Sequence, residues 1–223
     1  MPAFFVRPDV GPSPAVLLIH DIYGANDFYH DVARRLAADG FVVLLPDLFA
    51  REGPLPEPTR EAAFARRAKH SQVTALADIA KALDWLKAHD ATTGKVGTVG
   101  FCMGGTLGFL AAARDPLPDA TVAYYGFPKG QKTELAPLAP LDEPEQVKAP
   151  LLGLWGDQDA GVGMENVAAY DAALTSAGVA HEFVIYPGIG HGFLTFDPDS
   201  PAFDGARDSY RRMIAFFQDK LAG

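Results

Sequence analysis

Seven short apolar runs punctuate the chain, each bounded by Gly, Pro or Asp, and they restrict its fold more than any other feature. They occupy residues 3–7, 15–20, 41–46, 96–101, 121–125, 151–155 and 181–186. Most are apolar throughout instead of alternating with polar residues, the pattern of strands buried on both faces of a parallel sheet. Between them lie stretches with helical spacing. Residues 28–38 end at Asp39-Gly40, with Gly in a helix-terminating position. Residues 73–88 place Leu76, Ile79, Ala80, Leu83 and Leu86 on one stripe. Residues 103–113 are small and apolar all round, as in a buried helix, and 165–176 and 206–221 complete the set. Strands alternating with helices predict an α/β fold: a doubly wound, mostly parallel sheet of about seven strands with helices on both faces. Its ligand site should lie beyond the strand C-termini.

The chain's 223 residues suit one large domain, 1–223. With 48% hydrophobic and 21% charged residues, its composition is that of a globular protein, not a disordered one. A formal net charge of −9 opposes binding to nucleic acid or to an anionic membrane surface. One cysteine rules out an internal disulfide, and no signal peptide or membrane-length apolar run is visible. The expectation is a soluble, reduced, cytoplasmic protein. Two proline-rich segments, 51–59 and 127–150, follow strand ends and would overhang the site. Each is either a lid or a surface excursion.

The chemistry concentrates at Gly100-Phe101-Cys102-Met103-Gly104-Gly105, where the strand 96–101 meets the buried helix. This is the glycine-flanked nucleophile elbow of the α/β-hydrolase fold, with cysteine in place of serine. Side chains at Gly100 or Gly104 would clash with the neighbouring strand and helix. The helix N-terminus, aimed at the sulfur, favours a thiolate. On this fold the acid and then the histidine follow the nucleophile. After strand 151–155, Asp157 and Asp159 compete for the acid; Asp159 lies far enough into the turn to reach back and is favoured. His191, among glycines after strand 181–186, is the candidate base. His30, His70 and His89 fall on helical segments, His181 begins a strand, and His20 shapes the loop opposite the nucleophile. In this reading Cys102 attacks a carbonyl, His191 moves the proton and Asp159 orients the ring. The oxyanion donors are the backbone N–H groups of Met103 and Ile22.

These residues, with His20-Asp21-Ile22-Tyr23-Gly24-Ala25-Asn26, Pro46-Asp47-Leu48-Phe49-Ala50-Arg51, Tyr124-Tyr125-Gly126, Gly156-Asp157-Gln158-Asp159 and Gly190-His191-Gly192-Phe193, resemble the dienelactone hydrolase family (carboxymethylenebutenolidases) over nearly the whole chain. The resemblance implies a Cys-His-Asp triad with Asp159 as its acid, a monomer, no cofactor or metal, and a small ester or lactone as substrate. It also implies thiol activation at Asp21, where family members carry a glutamate; aspartate is one methylene shorter. Members that cleave dienelactone clamp its carboxylate with two arginines. Arg60 matches the first, and Phe64 stands where a tyrosine is common. Thr195 stands at the second, and Gly192 replaces the usual serine. Tyr23 and Tyr125 are further substrate-side candidates. Compared with the family, the chain begins late, without the first strand, and 127–150 is longer. Ester or lactone hydrolysis without a preference for dienelactone is therefore expected. The alternatives are a thioesterase or acyl-transfer enzyme on the same triad, and a non-catalytic ligand-binding or thiol-sensing protein.

Overall fold

The computed structural model describes residues 1–130 and 132–222. The first half comprises β1 (Ala3–Val6), β2 (Ser13–Ile19), α1 (Asp27–Ala38), β3 (Val42–Pro46), α2 (Arg60–Arg67) and α3 (Gln72–Ala88). Then come β4 (Thr92–Phe101), α4 (Met103–Ala111), β5 (Ala120–Tyr124), β6 (Leu151–Gly156), α5 (Met164–Ser176), β7 (His181–Tyr186) and α6 (Phe203–Lys220). All seven expected strands are present. They form one sheet in the order β1-β3-β2-β4-β5-β6-β7. Only β1 runs antiparallel, pairing with β3.

The all-apolar strands are buried on both faces. Val16 and Leu18 of β2 enter a core with Tyr29, Val32 and Leu36 of α1 and Phe217 of α6. Ala15, Leu17 and Ile19 enter a second core with Ile79, Leu83 and Leu86 of α3 and Met103 and Leu107 of α4. Each Leu or Ile so buried contributes roughly 1.5–3 kcal/mol. That places β2 and β4 at the centre of the sheet and brings their C-terminal ends together.

The helix boundaries follow local chemistry. Asn26 caps α1 by accepting from the Tyr29 N–H (3.3 Å). The same helix stops at Gly40, whose φ of +98° lets its N–H reach the Ala37 carbonyl and that of Phe41 reach Leu36. On α3 the buried stripe runs through Ala75, Ile79, Ala82, Leu83 and Leu86, with Leu76 and Ala80 at its margins. Helix α2 has no counterpart among the expected elements. It spans eight residues, and its buried positions are Ala63 and Arg66, so the sequence carries no apolar stripe to reveal it. His70, expected on a helix, sits instead in the link between α2 and α3. Among the described residues, no helix is long and apolar enough to cross a membrane.

Candidate active site

Cys102 is the single residue between β4 and α4, with φ 55° and ψ −114°. Such a backbone costs on the order of 1–3 kcal/mol and persists only where the surroundings enforce it. Here they do. The Cys102 N–H donates to the Tyr124 carbonyl (3.0 Å), and the Cys102 carbonyl accepts from the Thr106 N–H (3.1 Å). A methyl group at Gly100 would collide with the Gly104 carbonyl, and one at Gly104 with the Ile19 and His20 carbonyls. Two absent side chains therefore let strand, turn and helix cross. The thiol lines a cavity of about 630 Å³.

His191 and Asp159 come together beside this turn. The His191 Nδ1–H donates to Asp159 Oδ2 at 2.6 Å. Asp159 is 2% exposed, and its other oxygen accepts from the Val162 N–H (3.2 Å). With Nδ1 engaged, Nε2 is the ring atom left for chemistry. Burial pulls the imidazole pKa down, but the bond to Asp159 and the nearby Cys102 sulfur outweigh it and raise the value to about 9. Asp157 has a different part. It is exposed, and its Oδ1 accepts from the Gly188 N–H (2.7 Å), tying the two loops together. The Gln158 N–H reinforces that tie by donating to the Ile189 carbonyl (2.9 Å).

Across from the elbow runs the loop after β2. Among the described residues, neither the Ile22 nor the Met103 N–H donates to a protein acceptor. Both remain available for an oxyanion. The Asp21 carboxylate accepts from the Tyr23 N–H (2.7 Å). Burial pushes its pKa up, and the bond from Tyr23 opposes the shift. His20 is fully buried beneath the loop, as its expected role in shaping that loop requires. Arg66 was not singled out by the sequence. It is 8% exposed, it donates from Nη2 to the Ile22 carbonyl (3.1 Å) and from Nη1 to the Gly53 carbonyl (3.3 Å), and its guanidinium lies 4.1 Å from the centre of the Phe49 ring. An arginine in an Arg-rich helix reads as solvated surface, so no signal in the sequence separated Arg66 from its neighbours.

The cavity walls distribute the remaining candidates. Phe64 lines it, together with Met103, Leu107, Phe127 and Leu138, while Arg67 and Lys129 supply positive charge. Arg60 is exposed with its guanidinium 5.4 Å from the Phe64 ring centre, and it does not line the cavity. Thr195 is half-buried and its hydroxyl accepts from the Asp197 N–H. Tyr125 is 4% exposed, with its ring 4.9 Å from that of His191; Tyr23 is half-buried. The two proline-rich segments part company. Residues 127–130 and 133–140 contribute to the cavity wall, and Gln72 clasps the second stretch: its N–H donates to the Leu135 carbonyl, its side-chain amide to the Leu138 carbonyl, and its Oε1 accepts from the Leu138 N–H. Residues 51–59 contribute nothing to the lining. There Leu55 packs on the second core and Gly53 accepts from Arg66.

Comparison with known proteins gives the same architecture. The dienelactone hydrolase family model matches residues 1–221. A carboxymethylenebutenolidase of Rhodococcus opacus is 33% identical over 225 residues, 99% of this chain and 87% of its own length. A Klebsiella pneumoniae crystal structure described as a "Putative Dienelactone Hydrolase" superposes with a TM-score of 0.90 at 32% identity, over 97% of this chain and 92% of that one. An α/β-hydrolase from a deep-sea metagenome, MGS-M1, superposes at 0.76 with 18% identity over 98% and 92% of the two chains, a likeness of fold alone. The chain therefore belongs to the dienelactone hydrolase family and is a hydrolase of the α/β-hydrolase fold.

Proposed function

We propose that the protein hydrolyses carboxylic esters or lactones through a triad of Cys102, His191 and Asp159. The observation that carries this reading is the strained Cys102 turn, opening into a cavity beside an imidazole whose Nδ1 is bound to a buried carboxylate. The Cys102 sulfur attacks the carbonyl carbon, and the carbonyl π pair moves onto oxygen. The Ile22 and Met103 N–H groups receive that oxyanion, and removing one such donor typically costs about 2.7–4 kcal/mol of transition-state stabilisation. Collapse breaks the C–O bond, and His191 Nε2–H protonates the departing alkoxide. Water, deprotonated by the same nitrogen, then attacks the thioester, releasing the acid and the free sulfur. With its pKa raised to about 9, the His191 ring is suited to carry a proton at neutral pH and deliver it to the leaving group. Asp21, its carboxylate held by the Tyr23 N–H, adds negative charge beside the site.

The substrate reading follows from the walls. Phe64, Met103, Leu107, Phe127 and Leu138 favour an uncharged aryl or alkyl ester over dienelactone. Neither Arg60 nor Thr195 offers a cation to the cavity. A chromogenic short-chain aryl ester is turned over by the wild type and not by Cys102→Ala or His191→Ala. Unchanged hydrolysis by Cys102→Ala removes the triad. A dienelactone kcat/KM well above that for the aryl ester would overturn the substrate reading and put Arg67 and Lys129 in the place of the carboxylate clamp.

A further inference from the structure

Two consecutive carbonyls of the loop facing Cys102 are each gripped by a buried side chain. The His20 Nδ1–H donates to the Asp21 carbonyl at 2.7 Å, and Arg66 Nη2 donates to the Ile22 carbonyl at 3.1 Å. The Asp21 carbonyl and the Ile22 N–H are two ends of one peptide group. Whatever His20 does to that oxygen is therefore felt at the hydrogen offered to the substrate. The far side of the imidazole is also engaged, since Nε2 accepts from the Leu48 N–H (3.1 Å). A carbonyl can only accept and an N–H can only donate, so the proton sits on Nδ1 and the tautomer is set by its surroundings.

We infer that His20 and Arg66 are positioning residues for oxyanion stabilisation: His20 polarises and orients the Asp21–Ile22 peptide whose N–H receives the oxyanion, and Arg66 locks the peptide after it. A hydrogen bond donated to a carbonyl draws electron density from the amide and strengthens its N–H as a donor, by about 10–30% per bond in such chains. The chain here runs Leu48 N–H, His20 ring, Asp21–Ile22 peptide, oxyanion. Burial holds the His20 pKa down at about 4, so the ring keeps this neutral form throughout the neutral range. Phe49 couples the two grips. Its ring stacks on His20 (5.4 Å between centres) and carries the Arg66 guanidinium on a face. Gly24, at φ +86°, completes the arrangement, since even a methyl group there would stand 3.1 Å from Arg66 Nη2. A buried guanidinium is costly unless compensated. Asp47, Glu52 and Asp21 supply opposing charge around this one, and its hydrogen bonds go to the loops it braces.

This inference rests on Ile22 serving as an oxyanion donor in the proposed reaction, and the experiment separates the two. His20→Phe and Arg66→Met are compared with the wild type in ester hydrolysis, in the rate of Cys102 alkylation by iodoacetamide, and in affinity for a trifluoromethyl ketone analogue of the substrate. Alkylation displaces iodide from a saturated carbon and forms no oxyanion. The ketone forms a tetrahedral adduct that does. His20→Phe is expected to lower kcat by about 10–100-fold with KM nearly unchanged, and to weaken the ketone in parallel. Its alkylation rate should stay within about twofold of the wild type, because that reaction needs no oxyanion donor, whereas a general loss of structure would slow both reactions. Arg66→Met should show the same pattern with a smaller loss. Wild-type kcat in both variants overturns the inference, as does an alkylation rate that falls with kcat. If His20→Phe does not fold, Arg66→Met is judged alone by the same criteria. Hydrolysis that survives Cys102→Ala sinks the triad instead, whatever these variants do.

Discussion

The elbow carrying Cys102 and the loop carrying Ile22 face each other across one cavity, but they are held in opposite ways. The elbow is held by backbone. Its strain at Cys102 is enforced by the Thr106 and Tyr124 backbone hydrogen bonds and by close crossings at Gly100 and Gly104, the latter against the Ile19 and His20 carbonyls. The Ile22 loop is assembled from afar, with Leu48 reaching His20 from 28 positions along the chain and Arg66 reaching Ile22 from 44. Backbone crossings of the first kind tolerate no added atoms. Side-chain braces of the second kind degrade by steps. The half of the site that positions the nucleophile should therefore fail abruptly, and the half that stabilises charge should weaken gradually.

Substitutions can break that contrast. The largest effect should come from Asp159→Asn, which leaves the His191 ring near its position but disrupts its tautomer, lowering ester kcat by about 10³–10⁴-fold. Asp157→Asn should keep kcat within about threefold while loosening the loops it ties. Reversed results in the kinetic assay would make Asp157 the acid. Gly104→Ala should cost more than about 3 kcal/mol in urea unfolding, because the methyl group meets two backbone carbonyls that cannot retreat. Gly24→Ala meets only the end of the Arg66 side chain but is strained at φ +86°, and should cost about 1–2 kcal/mol. Equal losses at Gly104 and Gly24 would erase the difference between the two halves.

Smaller effects sharpen it. The folded pKa of His191 is about 9, above the roughly 6.5 of an unfolded histidine, so the native state binds the extra proton between these values. The stabilisation is complete below about pH 6.5 and is lost as pH rises through about 9. Thermal melts should show Tm declining over that window in the wild type and a flatter profile in Asp159→Asn. Identical profiles would show that the ring is not held as its geometry indicates. The smallest effect should come from Gln72→Ala, which unclasps residues 133–140 from α3. Turnover of a bulky aryl ester should change by about threefold and that of an acetate ester less. Equal changes for both would remove the segment from substrate selection.

Much of this was legible in the residues. Strands β2 to β6 announced themselves because a strand buried on both faces must be largely apolar, and the edge strands β1 and β7 as short apolar runs between turn residues. The elbow announced itself because only glycine fits where Gly100 and Gly104 cross other backbone. His191 stood out for its place after β7, and the choice of Asp159 over Asp157 rested on reach, which the 2.6 Å bond to His191 supports. The reading faltered where polar side chains are buried. Helix α2 passed unnoticed because its inward face carries Arg66, and His70 was assigned to a helix when it packs on Phe49 and Glu52 in a link. Of the two proline-rich segments, composition could not say which would cover the cavity, since both begin at strand ends.

By itself, the sequence determined the alternating order of strands and helices, the glycine-flanked turn at Cys102 and the order of Cys102, Asp159 and His191 along the chain. Those are properties of local pattern: periodicity, glycine placement and spacing. Only the tertiary structure decided which carboxylate faces the imidazole, that 133–140 and not 51–59 lines the cavity, that Arg60 stays outside it, and that His20 and Arg66 stand behind the Ile22 peptide. Each of those depends on contacts between segments distant in sequence, set by how the two cores bring the ends of β2, β4, β6 and β7 together.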